Sequence, residues 1–562
     1  MAKKDYSNLD KKELIKIIDK LESRKKYGLI WDEESVKEQF EKDSENALPV
    51  LKEVKNKDVI NTDNKPENIL IEGDNYHALS VLNFTHQGKI DVVYIDPPYN
   101  TGAKNWIYNN NFVEKDDEYR HSKWLSFMSK RLLLAKNLLT NDGVLVCAID
   151  ENEHAHLVLL LESIFPNSEK HSIIIVHNPK GVQGTNFSYM HEYAVFVVPK
   201  NMKVVDDKKL SESEIYVSNL RNWGNESLRS DAKNCFYPIM IKNNKIVGFG
   251  DVADDDYHPK FSNEKHNDEV WVWPIDEKGI ERKWRYARQS VEDILDVLRV
   301  NTNRKGIFQI MIAKDYGVYK TVWFDKRYDA SEYGTKLLKQ ILPGCKFDFP
   351  KSLYTVYDCL LPLVRNKKEA VILDFFAGSG TTGHAVLEIN KDYGGDRKFI
   401  LCTNNENNIC EEVTLPRIKK IIEGYETDKK EEIKGFGGSL KYFRTKFVKN
   451  ASNKDDFKIR ITKECTEMLC LREGVFNEIK KTPDYRIFNQ GGRTLAVYYS
   501  LDHSLLDELK KDLDNIEGEK IFYCFTLDQF GIEKNEFLDW MDISIEPIPQ
   551  KILDIYRQIY EY

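Results

Sequence analysis

The feature that most constrains the fold is an alternation of short apolar runs with text of helical period. NILIEG (68–73), KIDVVYID (89–96), VLVCAI (144–149), the start of AVILDFFAGSG (370–380) and KFILCT (398–403) each have strand length. One run stops at Pro97 and Pro98, and another at the glycines beyond Asp374. Trp124, Phe127, Met128, Arg131, Leu132, Ala135 and Leu138 recur at helical spacing across 122–139. Further helices are predicted near 153–164 and from Gly380 to about Ile389, and strands near 172–177 and 193–198. This order predicts an α/β fold, a mostly parallel sheet with helices on both faces.

At 562 residues the chain exceeds one ordinary core, and about two to four domains are expected. Residues 1–60 read as an N-terminal helical segment, with Leu14, Ile15, Ile18 and Leu21 on one face. Two halves of the α/β core are predicted at 61–200 and 346–445. Between them, 201–345 is polar and holds Trp223, Trp271, Trp273, Trp284 and Trp323, which reads as an inserted domain. A separate C-terminal domain at 446–562 carries its own apolar runs, TLAVYYSL and KIFYCFTL. No apolar run is long enough to span a bilayer, and MAKKDYSNLDKKEL lacks a signal-peptide core, so an intracellular location without membrane attachment is expected. Nine cysteines without a CxxC pair argue against a zinc knuckle and a disulfide framework. A net charge of −8 excludes a protein that coats nucleic acid with its whole surface.

Two motifs carry the chemistry. Asp96-Pro97-Pro98-Tyr99 follows the strand DVVYI, at the edge where open α/β sheets place ligands. The prolines stiffen the turn and remove two N–H groups, so the carbonyls there are expected to face outward as acceptors. Such a site suits an exocyclic amino group, whose lone pair is delocalised into its ring. Hydrogen bonds to the Asp96 carboxylate and the Pro97 carbonyl would free that pair, and Tyr99 offers a face for stacking. Asp374-Phe375-Phe376-Ala377-Gly378-Ser379-Gly380-Thr381-Thr382 follows the strand VIL. Its glycines let backbone approach a ligand closely, and Glu406, after the next strand, is placed to hold ribose hydroxyls. No lysine follows the glycines, which excludes a P-loop.

Together these motifs resemble those of the DNA amino-methyltransferases, in which a DPPY-type motif binds the target base and an FxGxG-type motif binds S-adenosylmethionine. The catalytic motif comes first, an order similar to the beta class, with target recognition inserted between. IEGDNYHAL (71–79), VVYIDPPYNTG (92–102), RHSKWLSFM (120–128), GVLVCAIDENE (143–153), NPKG (178–181), HEYAVF (191–196) and FPKS (349–352) resemble the Mod subunits of Type III restriction–modification systems. That resemblance implies the methyltransferase fold with a seven-stranded, mostly parallel sheet and a site-specific adenine-N6 DNA methyltransferase. It also implies S-adenosylmethionine as methyl donor and a base flipped from double-stranded DNA. The implied catalytic residues are Asp96, Pro97, Pro98 and Tyr99. Asp74, Lys351, Asp374, Phe376, Gly378, Gly380, Thr381 and Glu406 are implied at the cofactor, and no metal. A homodimer, a separate restriction (helicase or nuclease) subunit and a cytoplasmic, prokaryotic setting are implied too. Asp96 tilts the choice to adenine over cytosine N4. A silent recognition subunit and an RNA or small-molecule methyltransferase remain the other readings. In the insert, Lys278, Arg282, Lys283, Arg285 and Arg288 around Trp284 suit phosphate contact and stacking, as they also suit a solvated charged face.

Overall fold

The structure, a computed structural model, describes residues 10–22, 29, 31, 47–60, 65–108, 111–114, 119–210, 212, 214–451, 453–528, 532 and 537–560. The chain divides into two units, one of residues 1–206 and 320–562 and one of residues 207–319.

The first unit is built on a ten-stranded sheet. In chain order its strands are β1 (Ala47–Glu53), β2 (Glu67–Glu72), β3 (Ile90–Ile95), β4 (Leu139–Ile149) and β5 (Ser168–Val176). Then follow β6 (His191–Pro199), β7 (Val322–Trp323), β8 (Val371–Asp374), β9 (Lys398–Thr403) and β10 (Ser439–Lys449). They lie in the order β1-β10-β2-β9-β8-β3-β4-β6-β5-β7. β1 pairs antiparallel with β10, and β6 runs antiparallel to both β4 and β5; the other pairs are parallel. The expected seven strands are present as β2-β9-β8-β3-β4-β6-β5, with three more added at the edges. β3 and β8 read as near-continuous apolar text because both faces are covered. Helices α1 (Asn75–Thr85), α2 (Arg120–Leu138), α3 (His154–Ile164), α4 (Leu353–Val364) and α5 (Thr381–Tyr393) bury Leu79, Trp124, Leu160, Val356 and Val386 respectively.

Three expected boundaries move. The 1–60 segment is not wholly helical: among its described residues Lys11–Glu22 is an α-helix and Lys55–Lys57 a short 3-10 turn, while Ala47–Glu53 is a sheet edge. The C-terminal region does not stand apart. Its sheet of Glu478–Lys481, Tyr485–Gln490, Arg493–Tyr498, Glu519–Phe525 and Ile543–Ile548 has an apolar cluster of its own around Leu509 and Phe522. Yet Leu469, Val497 and Ile552 join Val50, Leu79 and Phe443 in one continuous core. The insert is narrower than 201–345, because Trp323 lies on β7, paired with Ile175 of the main sheet. Among the described residues no helix is long and apolar enough to cross a membrane.

The second unit is antiparallel. One sheet joins Val217–Asn219, Phe308–Ala313 and Leu298–Thr302; another joins Lys245–Phe249, Ile239–Lys242, Glu269–Val272 and Asn263–His266. Trp284, expected at the surface, is 2% exposed in the core with Tyr237, Ile239 and Ile310. Its indole N–H donates to the Tyr237 carbonyl at 2.8 Å. Arg282 is engaged by Asp276 at 3.0 Å, and Arg288 by the Gly250 carbonyl and Glu292 at 2.7 and 2.8 Å. Trp223 is instead exposed, with the Arg221 guanidinium 4.5 Å from its ring centre. Trp284→Ala is expected to cost this unit about 3–5 kcal/mol in urea unfolding, the range for deleting a buried large aromatic. Trp223→Ala should cost under about 0.5 kcal/mol.

Candidate active site

β2, β9, β8 and β3 are consecutive parallel neighbours, so their carboxyl ends share one edge. β2 delivers Asp74, β9 delivers the loop with Glu406, β8 the glycine loop, and β3 the turn Asp96–Tyr99.

In the β3 turn, Asp96 is part-exposed and Lys351 Nζ lies 3.4 Å from its Oδ1. Lys351, just before α4, also ion-pairs with Glu192 and donates to the Tyr99 hydroxyl. Tyr99 donates in turn to Glu192 at 3.0 Å. Burial raises the Asp96 pKa, Lys351 opposes the rise and Glu192 adds to it. Burial alone would lower the Lys351 pKa, but Asp96 and Glu192 outweigh it and hold the ammonium above the usual lysine range. Burial and both carboxylates keep Tyr99 a neutral phenol. One expectation is corrected: the Pro98 carbonyl accepts the Trp124 indole N–H at 2.7 Å.

The glycine loop is braced from beneath. Asp374 accepts from the Phe376 amide at 2.9 Å and from the Thr382 hydroxyl at 2.5 Å, so both its oxygens serve the loop. Burial pushes its carboxyl up to about 7. Arg417, fully buried, donates to the Ser379 carbonyl at 3.3 Å and the Thr381 hydroxyl at 2.8 Å. The Thr414 hydroxyl donates to the Gly378 carbonyl at 2.6 Å. Gly378 and Gly380 take left-handed φ of 49° and 76°. Gly383 was missed in the motif, although GSGTTG shows its spacing. A Cβ there would lie 2.7 Å from Ile418 and 3.1 Å from Leu401, so it lets α5 pack closely on the sheet.

Asp74 caps α1, accepting from the Tyr76 amide at 2.7 Å. Its neighbour Asn75 donates to the Phe375 carbonyl at 2.9 Å and accepts from Arg131 at 2.5 Å, tying the β2 turn to the glycine loop. Phe376 lies 5.9 Å, centre to centre, from Phe127. Glu406 is exposed at its strand end. A cavity of about 870 Å³, lined by residues such as Tyr333, Tyr354, His384 and Phe436, contains none of these groups.

Among the described residues, His121, Glu153 and His156 converge as three metal ligands would, within 4.8 Å. Their hydrogen bonds account for the cluster differently. Arg120 Nε donates to His121 Nε2 at 3.2 Å, which places the ring proton on Nδ1, 2.7 Å from Glu153 Oε1. Metal ligation at Nδ1 needs that nitrogen bare. Glu153 also accepts from Asn100, which follows Tyr99 with φ 57°, so the cluster pins the end of the Asp96–Tyr99 turn. Burial pushes the Glu153 carboxyl from an ordinary 4.5 up to about 7, against its Asn100 and His156 contacts. A carboxyl held high binds its proton more tightly in the folded state. Its contribution to stability is therefore full below pH 4.5 and is lost as pH rises through about 7. The stability of Glu153→Gln relative to wild type should accordingly grow across that window in urea unfolding. A difference independent of pH would mean that Glu153 titrates normally.

Residues 90–414 match the family described as DNA methylase, and the chain belongs to it. It is a DNA methyltransferase. It is 33% identical over 356 residues to the Type II methyltransferase M.KpnI of Klebsiella pneumoniae, an alignment covering 59% of this chain and 79% of that one. It is 27% identical over 523 residues to the Type III restriction-modification enzyme EcoPI Mod subunit of Escherichia phage P1, covering 82% and 75%. The M1.HpyAVI–SAM complex aligns at 15% identity over 62% of this chain and 98% of that one, with a TM-score of 0.27.

Proposed function

We propose that this chain transfers a methyl group from S-adenosylmethionine to the N6 of adenine in double-stranded DNA, as the modification subunit of a restriction–modification system. The observation that carries this reading is the shared edge of β2, β9, β8 and β3, which gathers the acceptor turn and the glycine loop. The donor set fits the cofactor: a braced glycine loop at a strand end, Phe376 beside it, an exposed carboxylate at Glu406 and the Asp74 turn bonded to the loop through Asn75. Phe376, Gly378, Gly380, Asp74 and Glu406 would hold it, with Lys351 near the reacting end. Asp374 and Thr381 shape the loop. When bound, S-adenosylmethionine supplies an electrophilic sulfonium methyl.

The chain's own residues do the rest. The flipped base stacks on Tyr99. Asp96 and the Pro97 carbonyl accept its two amino hydrogens, draw the nitrogen toward tetrahedral geometry and free its lone pair. Asp96 then takes up the proton that the methylated nitrogen sheds. Tyr99 and Lys351 are held together by Glu192, so positioning precedes chemistry.

The test is incubation with labelled S-adenosylmethionine and unmodified DNA, then digestion to nucleosides and separation. Label in N6-methyl-2′-deoxyadenosine is expected. Label in N4-methyl-2′-deoxycytidine would overturn the base, and no label with cofactor bound would overturn the enzyme. The modification role also implies a cytoplasmic homodimer that joins a separate restriction subunit; a monomeric mass in solution would count against the dimer.

A further inference from the structure

We propose that Glu192 is a positioning residue of the methyl-transfer centre, holding Lys351 and Tyr99 so that the ammonium does not close on Asp96. The inference rests on the reading of Asp96 as the amino-group acceptor. Glu192 is the second residue of β6, and β6 runs opposite to β4, so its first residues reach the edge where β3 ends. Its side chain is 7% exposed, and a carboxylate buried so deeply needs partners. Among the described residues it is hydrogen-bonded by the Tyr99 hydroxyl at 3.0 Å and the Lys351 ammonium.

The centre therefore holds two carboxylates and one ammonium. Lys351 sits closer to Glu192 than to Asp96, whose contact is 3.4 Å. An ammonium pressed fully onto Asp96 would occupy the oxygen that an exocyclic amino group must reach. Glu192 draws that charge aside, and its second bond fixes the rotation of the Tyr99 ring. The other titratable groups around the pair are His177 beyond β5, Tyr94 on β3, Cys147 on β4, Cys359 on α4 and Asp150 just after β4, with Asp374 of β8 acting on Asp96; burial raises the pKa of both of these carboxyls. Burial keeps the tyrosine and both thiols neutral and lowers the imidazole.

The proposal is tested with Glu192→Gln and Glu192→Asp in the full chain. For the glutamine variant, kcat should fall by up to about a hundredfold, the scale of a small misplacement of reacting groups. The KM for S-adenosylmethionine should stay within about twofold, since no interaction of the glycine loop is touched. The acid limb of the kcat profile should move to lower pH, because Asp96 loses a carboxylate neighbour and keeps the lysine alone. The aspartate variant should recover part of the rate. A glutamine variant with wild-type kcat and pH profile would overturn the proposal. A second measurement needs neither variant folding nor methyl transfer: acid-anhydride labelling of wild-type lysines against pH, read by mass spectrometry. Lys351 should resist labelling to higher pH than exposed lysines, and labelling it alongside them would overturn the ion pair. If wild type transfers no methyl, the functional reading fails while the labelling still decides the pair.

Discussion

Asp96→Ala is expected to lower kcat by about 10²–10⁴-fold, the range for losing a positioned proton acceptor, with S-adenosylmethionine affinity within about twofold of wild type. The variant removes the carboxylate that accepts an amino hydrogen and leaves the Pro97 carbonyl to act alone. It also leaves Lys351 to Glu192, an ion pair already made, so the fold should survive. Asp96→Asn is the sharper probe. It keeps the shape and one acceptor oxygen but cannot take up the proton, so a rate nearer alanine than wild type assigns the effect to charge. In the wild-type enzyme the acid limb of kcat/KM should lie above the ordinary carboxylate range, because burial and Glu192 raise the Asp96 pKa. Single-turnover transfer with calorimetric cofactor binding separates the outcomes; lost binding together with lost rate would mean that Asp96 supports the cofactor instead.

Gly380→Ala should weaken S-adenosylmethionine binding by at least about tenfold, whereas Gly378→Ala should have the smaller effect. Both glycines have left-handed φ, which costs an L-residue about 1–2 kcal/mol. Only Gly380 also faces packed neighbours, since its Cβ would meet Thr414 at 3.3 Å and Ile418 at 3.4 Å. Thr414 cannot yield freely, because its hydroxyl holds the Gly378 carbonyl. The clash would therefore spread back through the loop. At Gly378 the nearest atom is the Phe347 ring at 3.7 Å, an ordinary contact. Each factor of ten in Kd corresponds to about 1.4 kcal/mol, so isothermal titration resolves the two variants. Equal losses would show that strain alone governs the loop.

Much of this site was legible in the chain. Asp96–Tyr99 and Asp374–Gly380 each join a strand period to turn residues, and both signals are local. Gly383 was legible too, by spacing, and went uncounted. Other features were not local. Trp284 and Trp223 lie in similar polar text, and only packing made one a core residue and the other a surface ring. The Pro98 carbonyl was expected to face a ligand until Trp124, on another element, was found to take it.

The residue order by itself determined the α/β alternation, the two strand-end motifs and the chemistry they suit, because strand period, proline stiffness and glycine freedom act over a few neighbouring residues. The tertiary structure alone decided that β6 runs against β4 and so brings Glu192 to Lys351 and Tyr99. It also decided that β1 and the C-terminal helices share the core of the sheet. Strand direction and edge pairing follow from how separated segments bury their faces against one another, and no local period encodes that choice.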